Sequence, residues 1–167
     1  MFRSIWLLGM ALWLGSAFGV SWLAIPAVFS PGYRDLAGPY AAGQAAQAIL
    51  ARLFIAQYFF CGLACLALLA RRSSLPQFPG RLAAGIVPAV AALTLAAGLV
   101  LQPRLRTWND TRHDPTANPG QKARATARFR VWHGVSQGGN LAAMAGLTLA
   151  FLSAARRTGA TPSTKAS

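Results

Sequence analysis

The sequence predicts an all-α integral membrane bundle of four transmembrane helices with a long second helix. Composition is the first reason. Just over half of the 167 residues are apolar and only 11% are charged, about half the charged share of an ordinary soluble domain. Segregation of the charges is the second. No Asp, Glu, Lys or Arg falls between Arg3 and Arg34, Arg52 and Arg71, Arg81 and Arg104, or Arg130 and Arg156, gaps of 30, 18, 22 and 25 residues. About 20 apolar residues cross the hydrocarbon core of a bilayer as a helix, so every gap is of spanning size. A surface helix of a soluble protein has one apolar stripe and one charged face. These stretches are apolar all round. One domain over residues 1–157 is expected, with spans at about 4–29, 53–70, 82–101 and 131–154 and a disordered polar tail at 158–167.

The first apolar run is longer than the core of a signal peptide and ends in no small-x-small cleavage pattern, so it reads as an uncleaved helix closed by Ser30-Pro31-Gly32. Ala11, Gly15 and Gly19 recur every four residues, a small-residue ridge of the kind that lets a second helix approach closely. Trp6 and Trp22 are expected near the two membrane interfaces, and Trp13 falls mid-span, against protein or lipid tails.

From Tyr40 to Ala70 there is no strong breaker. The Ala- and Gln-rich first half carries Gln44 and Gln47 on one side and projects beyond the bilayer or lies along protein. Arg52 marks the join with the spanning half. It reads first as a snorkelling interface cation and second as an inward-facing partner for a polar group. Cys61 and Cys65, four residues apart, share a helix face; with no neighbouring His or acid they read as soft packing residues.

Arg71 to Gly80 is a short basic turn, and the third helix follows from Leu82 to about Leu101 with a kink expected at Pro88. Gln102 to about Arg128 is the one long polar stretch and reads as a solvated connector. Asp110, His113 and Asp114 fall within five of its residues, but a metal site needs a further ligand that the connector does not offer, so none is expected.

The fourth helix carries the most informative side chains. His133, Gln137 and Asn140 fall at i, i+4 and i+7, one polar stripe near one end of the span, and Gly134, Gly138, Ala142 and Gly146 make an adjacent small-residue ridge. Such a helix is suited to burial against other helices.

Several of these segments carry a resemblance. Leu12-Trp13-Leu14-Gly15 through Ile25-Pro26-Ala27-Val28-Phe29 resembles the first helix of a bacterial family known as domain of unknown function 4149, or transmembrane-protein-205-like. Ala37-Gly38, Gln102-Pro103-Arg104-Leu105-Arg106 and Phe129-Arg130-Val131-Trp132-His133-Gly134-Val135-Ser136, with Asn140, follow in the family's order. The resemblance covers about residues 12–151 and implies a four-helix protein, multi-pass in the bacterial inner membrane, without an assigned activity. A fainter similarity to membrane haem-pathway oxidases and copper-resistance proteins stops at the first helix. Those families place a His there, and the two histidines here are His113 and His133.

Three acids in the chain nearly exclude carboxylate acid–base chemistry, and no phosphate loop or nucleophile elbow is present. The expected function is that of a non-enzymatic membrane bundle with a structural or interaction role, without catalytic residues or a cofactor. The alternatives are a small transporter or channel component, or a haem- or metal-linked redox protein using His133 with Tyr58 or Arg52. The net charge of +13 brackets the apolar runs, which suits anionic lipid headgroups and not nucleic acid. The Ala11/Gly15/Gly19 ridge suits a homo-oligomer interface, and packing within the chain explains it equally well. Seven basic residues fall on one side and nine on the other, a split that sets no orientation.

Overall fold

A computed structural model of the chain describes residues 2–70 and 81–156. The basic turn expected at Arg71–Gly80 and the polar tail at 158–167 lie outside the described residues. Everything regular among the described residues is helical, because uninterrupted apolar chain satisfies its backbone hydrogen bonds in lipid only within helices or closed barrels. The elements are α1 (Phe2–Gly19), a π turn at Val20–Ala24, α2 (Ile25–Val28), α3 (Pro31–Ala70), α4 (Arg81–Ala96), a second π turn at Ala97–Leu101, α5 (Gln102–His113) and α6 (Pro119–Arg156). Four helical stretches, Trp6–Val28, Pro31–Leu69, Leu82–His113 and Pro119–Arg156, are long and apolar enough to cross a membrane. The chain is an all-α membrane bundle.

Both π turns stand just upstream of a proline. The ring of Pro26 crowds the carbonyl of Trp22, and that of Pro103 the carbonyl of Leu99; each crowded carbonyl lies inside a π turn. The widened turn moves that carbonyl aside without ending the helix. Pro88 is taken up within α4 without a break. The exception is Gly38 in α3, whose φ of 81° and ψ of 159° break the helix ahead of Pro39. That region of backbone space is essentially reserved for glycine. The helical stretch beyond it starts where the sequence places the second helix.

The polar stretch after Leu101 departs from its expected form. It is helical on both sides of a short turn, with α5 running to His113 and α6 starting at Pro119. The start of α6 is a capping box. Gln121 donates its backbone N–H to Asn118 Oδ1 at 2.8 Å, and Asn118 returns its own N–H to Gln121 Oε1 at 3.1 Å. Pro119 occupies the first helical position, where a missing N–H costs nothing. In the turn, Asp114 Oδ1 accepts from the Thr116 backbone N–H at 2.8 Å and hydroxyl at 2.7 Å. These bonds hold the Asp114 carboxyl below the usual carboxylate range.

In the bundle α1 packs on α3 and α6, and α4 packs on the same two helices. Adjacent helices thus form a closed ring with α1 diagonal to α4. The core lies toward the end holding the start of α1 and the end of α6, built from Trp6, Met10 and Trp13 of α1, Cys61 and Ala64 of α3, Val87 and Val90 of α4, and Leu147 and Ala150 of α6. Its outer surface is apolar, with Leu8, Leu12, Ile55, Phe59, Leu66 and Leu149 exposed, as lipid requires and water would not tolerate. Hydroxyls within the spans bond back to their own helix: Ser16 to Trp13 O, Thr148 to Met144 O and Ser153 to Ala150 O, each at 2.8 Å. No backbone partner is lost by these bonds. At the other end the ring gives way to a second assembly, in which α2 packs on α3 and α5 packs on the opening half of α6.

Candidate functional site

The polar side chains collect at this second end. Gln44 of α3 donates Nε2 to Asp110 Oδ1 of α5 at 2.8 Å, and Gln102 of α5 donates Nε2 to Gln47 Oε1 at 2.9 Å. Between these two bridges Asn109 is 1% exposed, its amide against Gly43 and its Nδ2 without a hydrogen-bond partner among the described residues. The first half of α3 is thereby fastened to α5. The Gln44 and Gln47 pairing on one helix side was visible in the sequence; their partners were not, because the stretch that holds them reads as connector.

The expected stripe of the fourth helix divides in two. Asn140 turns inward, donating Nδ2 to Ser21 Oγ at 2.8 Å across the gap to the first π turn. His133 and Gln137 turn outward and are exposed, paired with each other at 3.3 Å between Nε2 atoms. The ridge divides in the same way. A Cβ at Gly146 would press Ile86 and Val90 of α4 at 3.2 Å, whereas Cβ atoms at Gly134 and Gly138 would meet nothing within 4 Å. Ala142 is exposed beside Leu141. On α1, Ala11 and Gly15 are exposed, and neither Gly15 nor Gly19 has a neighbour within Cβ reach. Arg52 is exposed on α3 and does not join the stripe.

Because Asn140 ties α6 to the first π turn, its bond to Ser21 has a measurable coupling. In a double-mutant cycle of Asn140→Ala and Ser21→Ala, read by SDS-driven unfolding in mixed micelles, the expected coupling is about 0.6–1.7 kcal/mol. Additive single effects would show that the two side chains do not meet.

Asp110, His113 and Asp114 each have a different partner. Asp110 takes Gln44, Asp114 takes Thr116, and His113 Nδ1 lies 2.8 Å from the Asn109 carbonyl. A carbonyl only accepts, so Nδ1 carries the proton, and Arg112 Nε, 3.3 Å from the same nitrogen, makes a contact and not a bond. The His113 ring lies 5.2 Å from that of Tyr40, centroid to centroid. Arg112 instead spreads its guanidinium 4.1 Å above the centre of the Phe129 ring, and Phe129 stacks on His133 at 5.4 Å with 9° between planes. Cys61 and Cys65 are both free thiols, the first buried in the core.

The family described as Domain of unknown function (DUF4149) matches residues 8–114. The chain belongs to this family. Neither the curated proteins nor the solved structures contain a match to it. The DUF4149 match takes in α1 through α5, and so holds both partners of the Gln44–Asp110 and Gln47–Gln102 bridges. It stops short of α6, so the His133 stripe lies outside the segment that defines DUF4149 in this chain.

Proposed function

We propose that this DUF4149 protein is a non-enzymatic bundle of the bacterial inner membrane whose role is interaction, and that its first partner is a second copy of itself. The observation that carries this reading is the uncovered His133–Gln137 pair on α6, within an apolar segment. Polar groups in hydrocarbon cost several kcal/mol each when unsatisfied, on the order of 2–7 for an amide. One mutual bond leaves most of the Gln137 amide without partners. A primary amide donates and accepts, so two copies related by a two-fold axis satisfy each other through the same patch. Gly134 and Gly138 beside it leave room for a second helix at close range.

The experiment is energy transfer between labelled copies of the full chain in lipid vesicles, at falling protein-to-lipid ratio. Transfer above the random-collision level is expected. Gly138→Leu is expected to weaken association at least about 10-fold, which corresponds to roughly 1.4 kcal/mol. Gly85→Leu, at an outward-facing position of α4 with equal room, is expected to leave it unchanged. Transfer no greater than collision at every ratio would overturn self-association.

A further inference from the structure

Arg112 is a cation partly withdrawn from water with no acid beside it. Only three acids exist in the chain. Asp110 and Asp114 are engaged by Gln44 and Thr116, and Asp35 lies exposed near the start of α3. Among the described residues no carboxylate forms an ion pair with Arg112.

What Arg112 does have is a seat. One face of its plane rests on Phe129 at 4.1 Å and Nε faces His113 Nδ1 at 3.3 Å, which leaves the two Nη groups for the parallel bonds that a phosphate accepts. The height of this seat is set by the helix. Phe129 precedes His133 by four residues, about 6 Å along the axis, and the ion-free run of the fourth span starts at Val131. The guanidinium therefore lies just outside the hydrocarbon, at headgroup level. On the same side of α6, three residues beyond Phe129, Trp132 is exposed, an apolar ring at the edge of the bilayer.

We propose that Arg112, seated on Phe129, binds the phosphate of an anionic phospholipid whose acyl chains pass the exposed Trp132 ring. A rim of basic residues attracts anionic lipid in general. The Arg112 seat differs in being planar, partly desolvated and bordered by the exposed Trp132 ring. The inference does not rest on self-association.

The test is native mass spectrometry of the full chain in detergent, titrated with dioleoyl-phosphatidylglycerol, dioleoyl-phosphatidylcholine or inorganic phosphate. The anionic lipid is expected to bind about 10-fold or more tightly than the zwitterionic one, and Arg112→Gln is expected to remove about that factor. Arg106→Gln, which removes an exposed charge from the same helix, is expected to keep most of it. Phe129→Leu keeps the charge and removes the seat; it is expected to lower lipid binding severalfold, and it supplies the reading should Arg112→Gln fail to fold. Equal losses in Arg106→Gln and Arg112→Gln would overturn the site, as would equal binding of the two lipids. Arg112-dependent binding of inorganic phosphate without retained lipid would overturn the lipid assignment.

Discussion

Replacing Trp13 with alanine is expected to destabilise the bundle by about 3 kcal/mol, the low end of the usual cost of emptying a large buried aromatic site. Trp13 is 1% exposed and sits in the core with Met10 on its own helix and with residues of α3, α4 and α6. In a membrane this cost does not come from the hydrophobic effect, because lipid tails are as apolar as the core. It comes from dispersion. A void inside the ring has no atoms on one side, so the side chains that line it lose contacts outright, whereas a void at the lipid surface is filled by acyl chain. Trp22 supplies the comparison. It is 58% exposed and stacks on Phe18, centroids 5.7 Å apart, so Trp22→Ala is expected to cost no more than about 1 kcal/mol. SDS-driven unfolding in mixed micelles measures both. Equal effects of the two substitutions would mean that Trp13 faces lipid and that the ring is not closed around it.

That contrast also marks how far the sequence could be read. Four spanning segments were legible because an ionic group in hydrocarbon is so costly that its absence over some 20 residues is a strong signal. The sequence placed Trp13 mid-span but left its surroundings open between protein and lipid, since an apolar segment has no polar face to point away from the core. The two π turns were illegible for a different reason: a proline predicts that a carbonyl must move, not how the helix accommodates it. The polar stretch reads as a connector because it is too polar to span a bilayer. Asn118-Pro119-Gly120-Gln121 carries a helix start signal of its own, an N-cap with Pro at the first position and Gln at the third, but it lies among basic residues that resemble a loop. The α5 helix then depends on partners distant in the chain, Gln44 and Gln47, which no local pattern names. Spacing puts His133, Gln137 and Asn140 on one stripe. Its division into an inward Asn140 and an outward pair reflects where α1 reaches α6, which is a property of packing and not of spacing.

Gly98→Ala is expected to destabilise the fold by about 1–3 kcal/mol, the cost of forcing an extra carbon into a filled site. Gly98 lies in the second π turn, and the α3 side chains Tyr58 and Phe54 close over it. A Cβ there would overlap the Tyr58 hydroxyl and stand 2.7 Å from Phe54 Cδ1 and 2.8 Å from Tyr58 Cζ. The two rings lie 6.2 Å apart, centroid to centroid, so neither has an easy retreat. Helix propensity argues the other way, since alanine is favoured over glycine by roughly 1 kcal/mol in a helix interior. A net loss would therefore isolate the steric term. Tyr58→Leu has a packing cost of its own, but it removes the principal obstacle, so Gly98→Ala combined with it is expected to cost less than the two singly. The measurement is again unfolding in mixed micelles, with intact helicity by circular dichroism as the control. Unchanged or raised stability in Gly98→Ala would mean that α3 does not close on the π turn. The contact matters beyond its own energy, because the same turn carries the chain past Pro103 into α5 and so sets the angle at which Asp110 and Gln102 meet Gln44 and Gln47. Relaxing it by an alanine is expected to loosen that pair of bridges first, through faster hydrogen exchange in α5 while the core around Trp13 stays protected.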